Sequence, residues 1–498
     1  MAGPMTAQLM ILSTAAVVSV TDSMRWGVVL DCGSSGTRVH IYNWDHDVGL
    51  ESLAEFTPTK KEDQDLLIDN IKGISSFADV PAGVAPYITS LLDQAARWVP
   101  SAKQSTTRVH AYATAGMRLL TEARQQPIWQ NIDDAMLASG FRYEVGDSAT
   151  IGGEYEGIFN YLALRHILRS APAGTPPILG GLDLGGASTQ ITFAPSSGVI
   201  LNDAYRLVVN YTAMRLYSHS FMRFGQNEAM QRYAQSLSDA EGSSALYASL
   251  NSPCHNRGLN ETFTVDCSGG TGNCVRLLNG TGDYTACRSY ASSLLGLQAL
   301  CLLGPCSANG IYQPNPSAVA FYAVSSFFYT ANGLGLIGWN EVKGIPTSAF
   351  EAAGHSFCGQ PWVSVQSEYS ASYCFLSAYV PALLDSYAID RDSATAVTYA
   401  RKIAGFSMGW ALGAQIFLMA EQACTIEPAG KPPNAGNPTD CTAAEQPYEI
   451  GLGLGVPAAL ALGGALGGVL GHRRALKERN REPNALLPGV SDVRDGLQ

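Results

Sequence analysis

Two stretches of this chain share one frame, and that repeat limits the fold more than any other feature. Val28 to Tyr42 reads VVLDCGSSGTRVHIY, and Leu182 to Phe193 reads LDLGGASTQITF. In each, an apolar run ends in Asp-x-Gly, a turn of small residues follows, and a Thr six places after the Asp opens an alternating strand (Val39 and Ile41; Ile191 and Phe193). The pattern predicts two β-hairpins. Glycine lets a backbone come close to a ligand and turn its N–H groups toward phosphate oxygens, while an Asp at a strand end can hold a hydrated divalent metal. A single such turn usually does no more than reverse the chain. Two in matching frames predict loops that face each other and grip a metal polyphosphate.

The length, 498 residues, suits two lobes of roughly 150 to 200 residues each. A formal net charge of −11 argues against a nucleic-acid groove and says little about a small ligand that brings its own metal. Gln8 to Val20 is apolar, and small or polar residues follow at Thr21, Asp22 and Ser23. This predicts a signal peptide over 1–22, with an uncleaved anchor as the alternative because no Lys or Arg precedes Arg25. Ile450 to Gly471 runs 22 residues without a charge, enough for a membrane helix. Arg473, Arg474, Lys477, Arg479 and Arg481 follow it and Glu445 and Glu449 precede it, which predicts a single-pass type I protein with tail 472–498 in the cytoplasm. The body then lies at the cell surface or in a secretory lumen. Gly451/Gly455, Gly463/Gly467 and Gly464/Gly468 have the small-xxx-small spacing that can pair two helices into a homo-oligomer.

Eleven cysteines in an exported chain imply disulfides with one thiol left over. Cys32 sits inside the first glycine loop and is read as that thiol; the other ten lie in the second half of the chain. Three sequons, at Asn210, Asn260 and Asn279, fit the same secretory route.

Along the chain, apolar spacing predicts a helix over Pro86 to Val99, and Val109 to Leu120 reads as a strand that turns through Ala113-Thr114-Ala115-Gly116 into a helix. Phe141 to Gly146 reads as a strand, followed by a helix from Glu154-Tyr155-Glu156-Gly157 to Leu168. Leu216 to Tyr233 reads as a helix in which His219 packs or caps, since no second His or Cys lies at metal-ligand spacing. Asn251 to Cys306 reads as an irregular, disulfide-stapled insertion, Ala400 to Ala423 as a helix with Gly405, Gly409 and Gly413 on one face, and Thr425 to Glu449 as a stalk. Lobe I thus spans 23–150, completed by 400–423, and lobe II spans 151–399 with the insertion 251–306; 424–449 is the stalk.

LDCGSSGTRVHIY, AYATAGMRLL, the EYEGIF helix start, LDLGGASTQITF and LYSHSF resemble, in order, the five apyrase-conserved regions of the ecto-nucleoside triphosphate diphosphohydrolases and related Golgi nucleoside diphosphatases. The resemblance covers about Arg25 to Glu421. It implies an α/β, two-lobed actin/Hsp70-like (ribonuclease H-like) duplicated fold with nucleotide in a cleft between the lobes. It also implies metal-dependent removal of the terminal phosphate from nucleoside tri- and diphosphates. By position, Glu156 looks like the general base, Ser188 and Gln190 like the groups that hold the attacking water, and Asp31 and Asp183 like the pair that holds Ca²⁺ or Mg²⁺ through water. Gly33, Ser34, Ser35, Gly36, Thr37, Thr114, Gly185, Gly186 and Ala187 fall where the family's loops meet phosphate, and Tyr329 where a ring could stack on a base. The family's cysteine order implies Cys254 with Cys274, Cys267 with Cys287, Cys301 with Cys306 and Cys358 with Cys374, leaving Cys424 with Cys441.

Cys32 stands where the family commonly has Ala, Arg165 where many members have Asn, and Gly36 where several cell-surface members have His. At Gly36 the chain is similar instead to the Golgi and soluble diphosphatases, so a lumenal GDP/UDP diphosphatase is the alternative expectation. A weak nucleotide-binding surface receptor is another. Sugar kinases, actin-like proteins and exopolyphosphatases share the paired loops, but the exported topology and the YSHSF segment favour the nucleotidase.

Overall fold

The computed structural model describes residues 23–56, 73–169, 179–209, 212–267, 272–367, 369–420 and 425–428. β1 (Met24–Cys32) and β2 (Thr37–Asp45) form the first hairpin; β3 (Ala54–Glu55), β4 (Arg108–Ala113) and β5 (Ser148–Thr150) complete a five-stranded sheet in the order β3-β2-β1-β4-β5. β6 (Leu179–Leu184) and β7 (Ser188–Phe193) form the second hairpin, and β8 (Ala204–Val209) and β9 (Thr212–Met222) follow. A separate three-stranded sheet is built from β10 (Tyr247–Ser252), β11 (Asn260–Asp266) and β12 (Asn273–Gly280). β13 (Ala320–Ser325), β14 (Lys343–Gly344) and β15 (Val397–Tyr399) return to the large sheet. β16 (Lys402–Ile403) and β17 (Phe406–Ser407) make a small hairpin, and β18 (Thr425–Pro428) pairs with β8. The eight-stranded order is β14-β15-β13-β6-β7-β9-β8-β18.

The duplication predicted from the two hairpins extends through both sheets. β2–β1 is antiparallel with β4 and β5 added in parallel, and β7–β6 is antiparallel with β13 and β15 added in parallel. Strand for strand, β3-β2-β1-β4-β5 is repeated in order and sense by β9-β7-β6-β13-β15. The fold is therefore α/β with mixed sheets.

Apolar residues at consecutive positions bury both faces of the first sheet. Val28, Leu30, Val109 and Ala111 pack under the Val84–Trp98 and Glu122–Leu137 helices, while Val29 and Tyr112 face a second core with Phe159, Leu162, Trp410 and Leu412. The Gly153–Arg169 helix packs there against the Trp410–Met419 helix and also lies on β6, β7 and β9. The two helices approach so closely that a side chain at Gly413 would overlap the Phe159 carbonyl.

Several local expectations are corrected. Leu216 to Met222 is strand, and the helix begins only at Gln226 and ends at Glu241. His219 lies on that strand with its Nδ1 2.7 Å from Asp203 Oδ2. Phe141 to Gly146 forms a single bridge, Arg142 to Arg108, because the Asp147 carboxylate and N–H tie Glu144 into a turn and the strand starts at Ser148. Ala400 to Ser407 is not helical: Ala404 and Gly405 both have positive φ (52° and 89°), a two-residue turn joining β16 to β17, so only Gly413 of the three glycines lies in the helix. The insertion is ordered, with three strands and the Tyr284–Ser293 helix.

The disulfides pair Cys254 with Cys287 and Cys267 with Cys274, in place of the expected Cys254–Cys274 and Cys267–Cys287. The antiparallel β11–β12 register, with Val265 opposite Cys274, brings Cys267 and Cys274 together across their own turn. Cys301–Cys306 and Cys358–Cys374 form as the resemblance implies, and Cys32 is a free, buried thiol. Cys424, Cys441, Asn210, the signal segment 1–22 and the predicted span 450–471 lie outside the described residues. Among the described residues no helix is long and apolar enough to cross a membrane.

Candidate active site

The β1–β2 turn and the β6–β7 turn meet. A side chain on Gly186 would run into Ser34 Oγ, one on Gly116 would sit 2.8 Å from Ser34 Cα, and one on Gly73 would overlap the Gly33 carbonyl. At Gly73 and Gly116 backbone occupies the space a Cβ would take, and at Gly186 the Ser34 side chain does. The loop 33–36 is thus held between the second loop, the Ala115–Arg118 turn of helix and Gly73. Thr114 donates its N–H to the Cys32 carbonyl at 3.3 Å, and buried Thr37 opens β2 opposite Cys32; Ser35 is exposed. An anion-facing loop needs its carbonyls turned away from the ligand. Those of Gly185 and Gly186 accept from the N–H groups of Gln226 and Asn227 at 2.9 and 2.8 Å, while Ala187 is buried beside them. Burial pushes the Cys32 thiol well up, with Asp31 adding to the effect, so Cys32 is a neutral filler under the loop.

Asp31 and Asp183 occupy the same rung of the two hairpins: Asp31 pairs with Arg38 and Asp183 with Gln190. Glu156 comes from the first turn of the Gly153–Arg169 helix. Burial raises its carboxyl to about 7; Arg118 opposes the shift, and the charges of Asp183 and Asp31 add to it. Asp183 is raised to about 6, chiefly by burial and further by Asp31, against a hydrogen bond from Ser325. The three carboxylates thus lie near enough for each charge to be felt at another, with Glu156 linked to the Asp183 rung through Gln190. Arg38 lies 3.6 Å from Asp31 and is half exposed.

Glu156 Oε2 accepts from Arg118 Nη2 at 2.9 Å and from Gln190 Nε2 at 3.1 Å. The same Arg118 nitrogen lies 3.1 Å from Ser188 Oγ, and Gln190 Nε2 also donates to Ser188 Oγ (2.7 Å) and Ser220 Oγ (3.0 Å). Glu156, Ser188 and Gln190 therefore form one buried constellation. Gln190 Oε1 is buried with no protein partner, which leaves an acceptor free within the constellation. Gly153 and Gly157 let the helix reach the sheet here, since a side chain at either would strike Ser220 Oγ or Thr192 Oγ1.

Three residues of this cluster carry no prior assignment. Arg118 is one helical turn beyond Thr114 in AYATAGMRLL, and that spacing was its signal. Ser220 sits opposite Gln190 in the β7–β9 register and was hidden by reading its segment as a helix. Ser325 ends β13 with φ 56°, a strained non-glycine conformation beside Asp183, which sequence pattern does not reveal. Tyr329 is partly exposed, and its ring meets Phe328 and Trp339, 6.0 Å away in the latter case.

Asp31 and Asp183 are the residues able to hold a cation. Among the described residues no group of three His, Cys, Asp or Glu forms a closed metal cage. Two carboxylates, one raised by burial and further by its neighbour's charge, fit a hydrated hard cation whose other ligands would be water and phosphate oxygen.

Residues 17–430 match the model of the GDA1/CD39 (nucleoside phosphatase) family. The chain is 30% identical over 427 residues to "Probable apyrase 4" of Arabidopsis thaliana, covering 82% of each. It is 28% identical over 433 residues to "Ectonucleoside triphosphate diphosphohydrolase 2" of Mus musculus, covering 78% of this chain and 81% of the mouse protein. A crystal structure of nucleoside triphosphate hydrolases from Neospora caninum shares the fold with a TM-score of 0.54 at 16% identity, over 79% of this chain and 92% of that one.

Proposed function

The chain belongs to the GDA1/CD39 (nucleoside phosphatase) family and is a nucleotide phosphohydrolase, and on that premise we propose that its meeting loops bind a polyphosphate over which Glu156 activates water. The observation that carries this reading is the meeting of the two glycine turns at Ser34 and Gly186, with Glu156 hydrogen-bonded to Gln190 on the rung of Asp183. The amide N–H groups of the 33–36 loop and of Gly186 and Ala187 orient the terminal phosphoryl group and take up its developing charge, while the Gly185 N–H closes the turn onto the Ser188 carbonyl. Asp31 and Asp183 would hold a hydrated Ca²⁺ or Mg²⁺, which would supply further neutralisation.

Ser188 Oγ and Gln190 Oε1 position a water in line with the terminal phosphorus. The oxygen of that water forms the new P–O bond, its proton passes to Glu156, and the anhydride P–O bond breaks with its electrons on the leaving bridging oxygen. The products are inorganic phosphate and the shortened nucleotide. Because both protein donors converge on Glu156 Oε2, the proton is taken at Oε1. A base with its pKa raised to about 7 is strong enough to accept it, and about half of it is ionised and ready at neutral pH.

Phosphate release from ATP, ADP, GDP and UDP, with and without chelator, tests substrate range and metal need together. Loss of release in chelator with recovery on Ca²⁺ or Mg²⁺ is expected; full activity in chelator overturns the metal role. Gly36 favours the GDP/UDP reading, and turnover of those two above ATP in the same assay supports it. We further read the chain as a type I membrane protein anchored by 450–471, with its body at the cell surface or in a lumen, on the strength of the basic cluster from Arg473 onward. Asn260 is exposed on β11 and faces Asn279 on β12, where glycans fit that topology. Protection of the body from protease in sealed microsomes tests it.

A further inference from the structure

Between the Tyr284–Ser293 helix and Ala308 the chain makes a loop whose base is fixed and whose tip is apolar. Leu294 and Leu295 are buried, the Leu295 carbonyl accepts from Asn309 N–H at 2.8 Å, Gln313 N–H donates to the Pro305 carbonyl at 2.9 Å, and Cys301–Cys306 closes the loop. Beyond this base, Leu297, Leu300, Leu302 and Leu303 are 50, 77, 85 and 42% exposed. Two more exposed apolar residues, Val199 and Leu201, belong to a neighbouring segment that donates Leu201 N–H to the hydroxyl of Tyr312 at 3.2 Å. Scattered surface leucines are ordinary, but a pinned loop that projects four of them is an interaction site.

We propose that this loop is a second membrane contact, its leucines entering the acyl boundary of the bilayer to which the chain is anchored. From Ser289 to Asn340 the sequence contains no Asp, Glu, Lys, Arg or His, so the loop carries no charged side chain of its own out of water on insertion. The ionisable side chain hydrogen-bonded to the loop's base is a cation, Arg232, which donates to the Leu294 carbonyl and suits lipid phosphate. The described residues end at Pro428 and the apolar run begins at Ile450, so the linker spans at most about 75 Å fully extended and keeps the body within reach of the surface. A second copy is the weaker occupant, because one short loop buries far less than the roughly 800 Å² per partner of a stable interface. The proposal rests on the reading of 450–471 as an anchor.

Full-length protein carrying p-benzoylphenylalanine in place of Leu302 is reconstituted into phosphatidylcholine vesicles, floated and irradiated. Flotation reads the anchor alone; protein that does not float refutes the anchor, and with it this proposal. In floated protein, mass-spectrometric detection of lipid acyl adducts at position 302 is expected, with at least tenfold less adduct when the photoprobe replaces Val145, which is 77% exposed elsewhere. Absence of adduct, adduct equal to the Val145 control, or crosslinks to a second copy or to another segment of the same chain overturns the proposal. Leu300→Ser with Leu302→Ser, in otherwise unlabelled protein, should leave nucleotide turnover in detergent unchanged and weaken protection of the loop from hydrogen exchange in vesicles.

Discussion

Glu156 is held between opposing influences, and its neighbours set the pH at which it works. The proposed role as base predicts that Glu156→Gln lowers kcat by about 10² to 10⁴, read as phosphate release under saturating nucleotide. Arg118 is the nearest cation and holds the carboxyl below the value burial alone would give. Arg118→Ala should therefore move the acid limb of the kcat/KM profile to higher pH, by on the order of one unit or more. A profile that falls in height without moving would place Arg118 outside the control of Glu156. The same burial acts on stability. A carboxyl raised to about 7 favours the folded state while protonated, and that contribution is lost as pH climbs through the folded-state value, because the fold must then carry a charge the unfolded chain would expose to water. Ligand-free Glu156→Gln should thus melt a few °C above the parent at about pH 8 and close to it at about pH 4, measured by calorimetry.

The Gly153–Arg169 helix must lie almost on the backbone of β7 and β9 for Glu156 to meet Gln190, and Gly157 provides that closeness. Gly157→Ala sets a methyl group against Thr192 Oγ1 and Ser218 Oγ and should destabilise by about 1 to 3 kcal/mol. Its activity loss should fall on kcat more than on KM if, as proposed, the helix carries the base and the loops hold the phosphates. The hairpins and this helix were legible in the sequence, since Asp-x-Gly turns and the apolar runs around them are local signals. β9 was not: Leu216, Tyr217 and Ser218 are all buried in the interior of a large sheet, which erases the alternation that marks a half-exposed strand. Ala400 to Ser407 misleads for another reason, because Ala404 takes a left-handed turn conformation that its own preferences oppose. Of the site, Glu156, Ser188 and Gln190 are brought together from positions the family pattern marks, whereas the Ser220 and Ser325 contacts depend on strand register. The Cys267–Cys274 pairing likewise follows from the β11–β12 ladder rather than from cysteine order.

In the whole molecule the site exists only where two sheets meet, since Asp31 and Asp183 belong to different sheets and no single one supplies both. A non-hydrolysable nucleotide and a divalent cation added together should raise the melting temperature by more than the sum of their separate effects, and Asp31→Asn or Asp183→Asn should abolish that excess. Additive shifts would separate the cation from the phosphates. The mirrored strand orders carry a further consequence at a single rung: opposite its Asp, one hairpin places Arg38 and the other Gln190. A scaffold doubled in its architecture is thus unequal in its chemistry, a guanidinium on one side of the pseudo-dyad and a neutral amide on the other. A substrate lying across that axis would meet unlike walls, a cation beside one carboxylate and an uncharged amide beside the other.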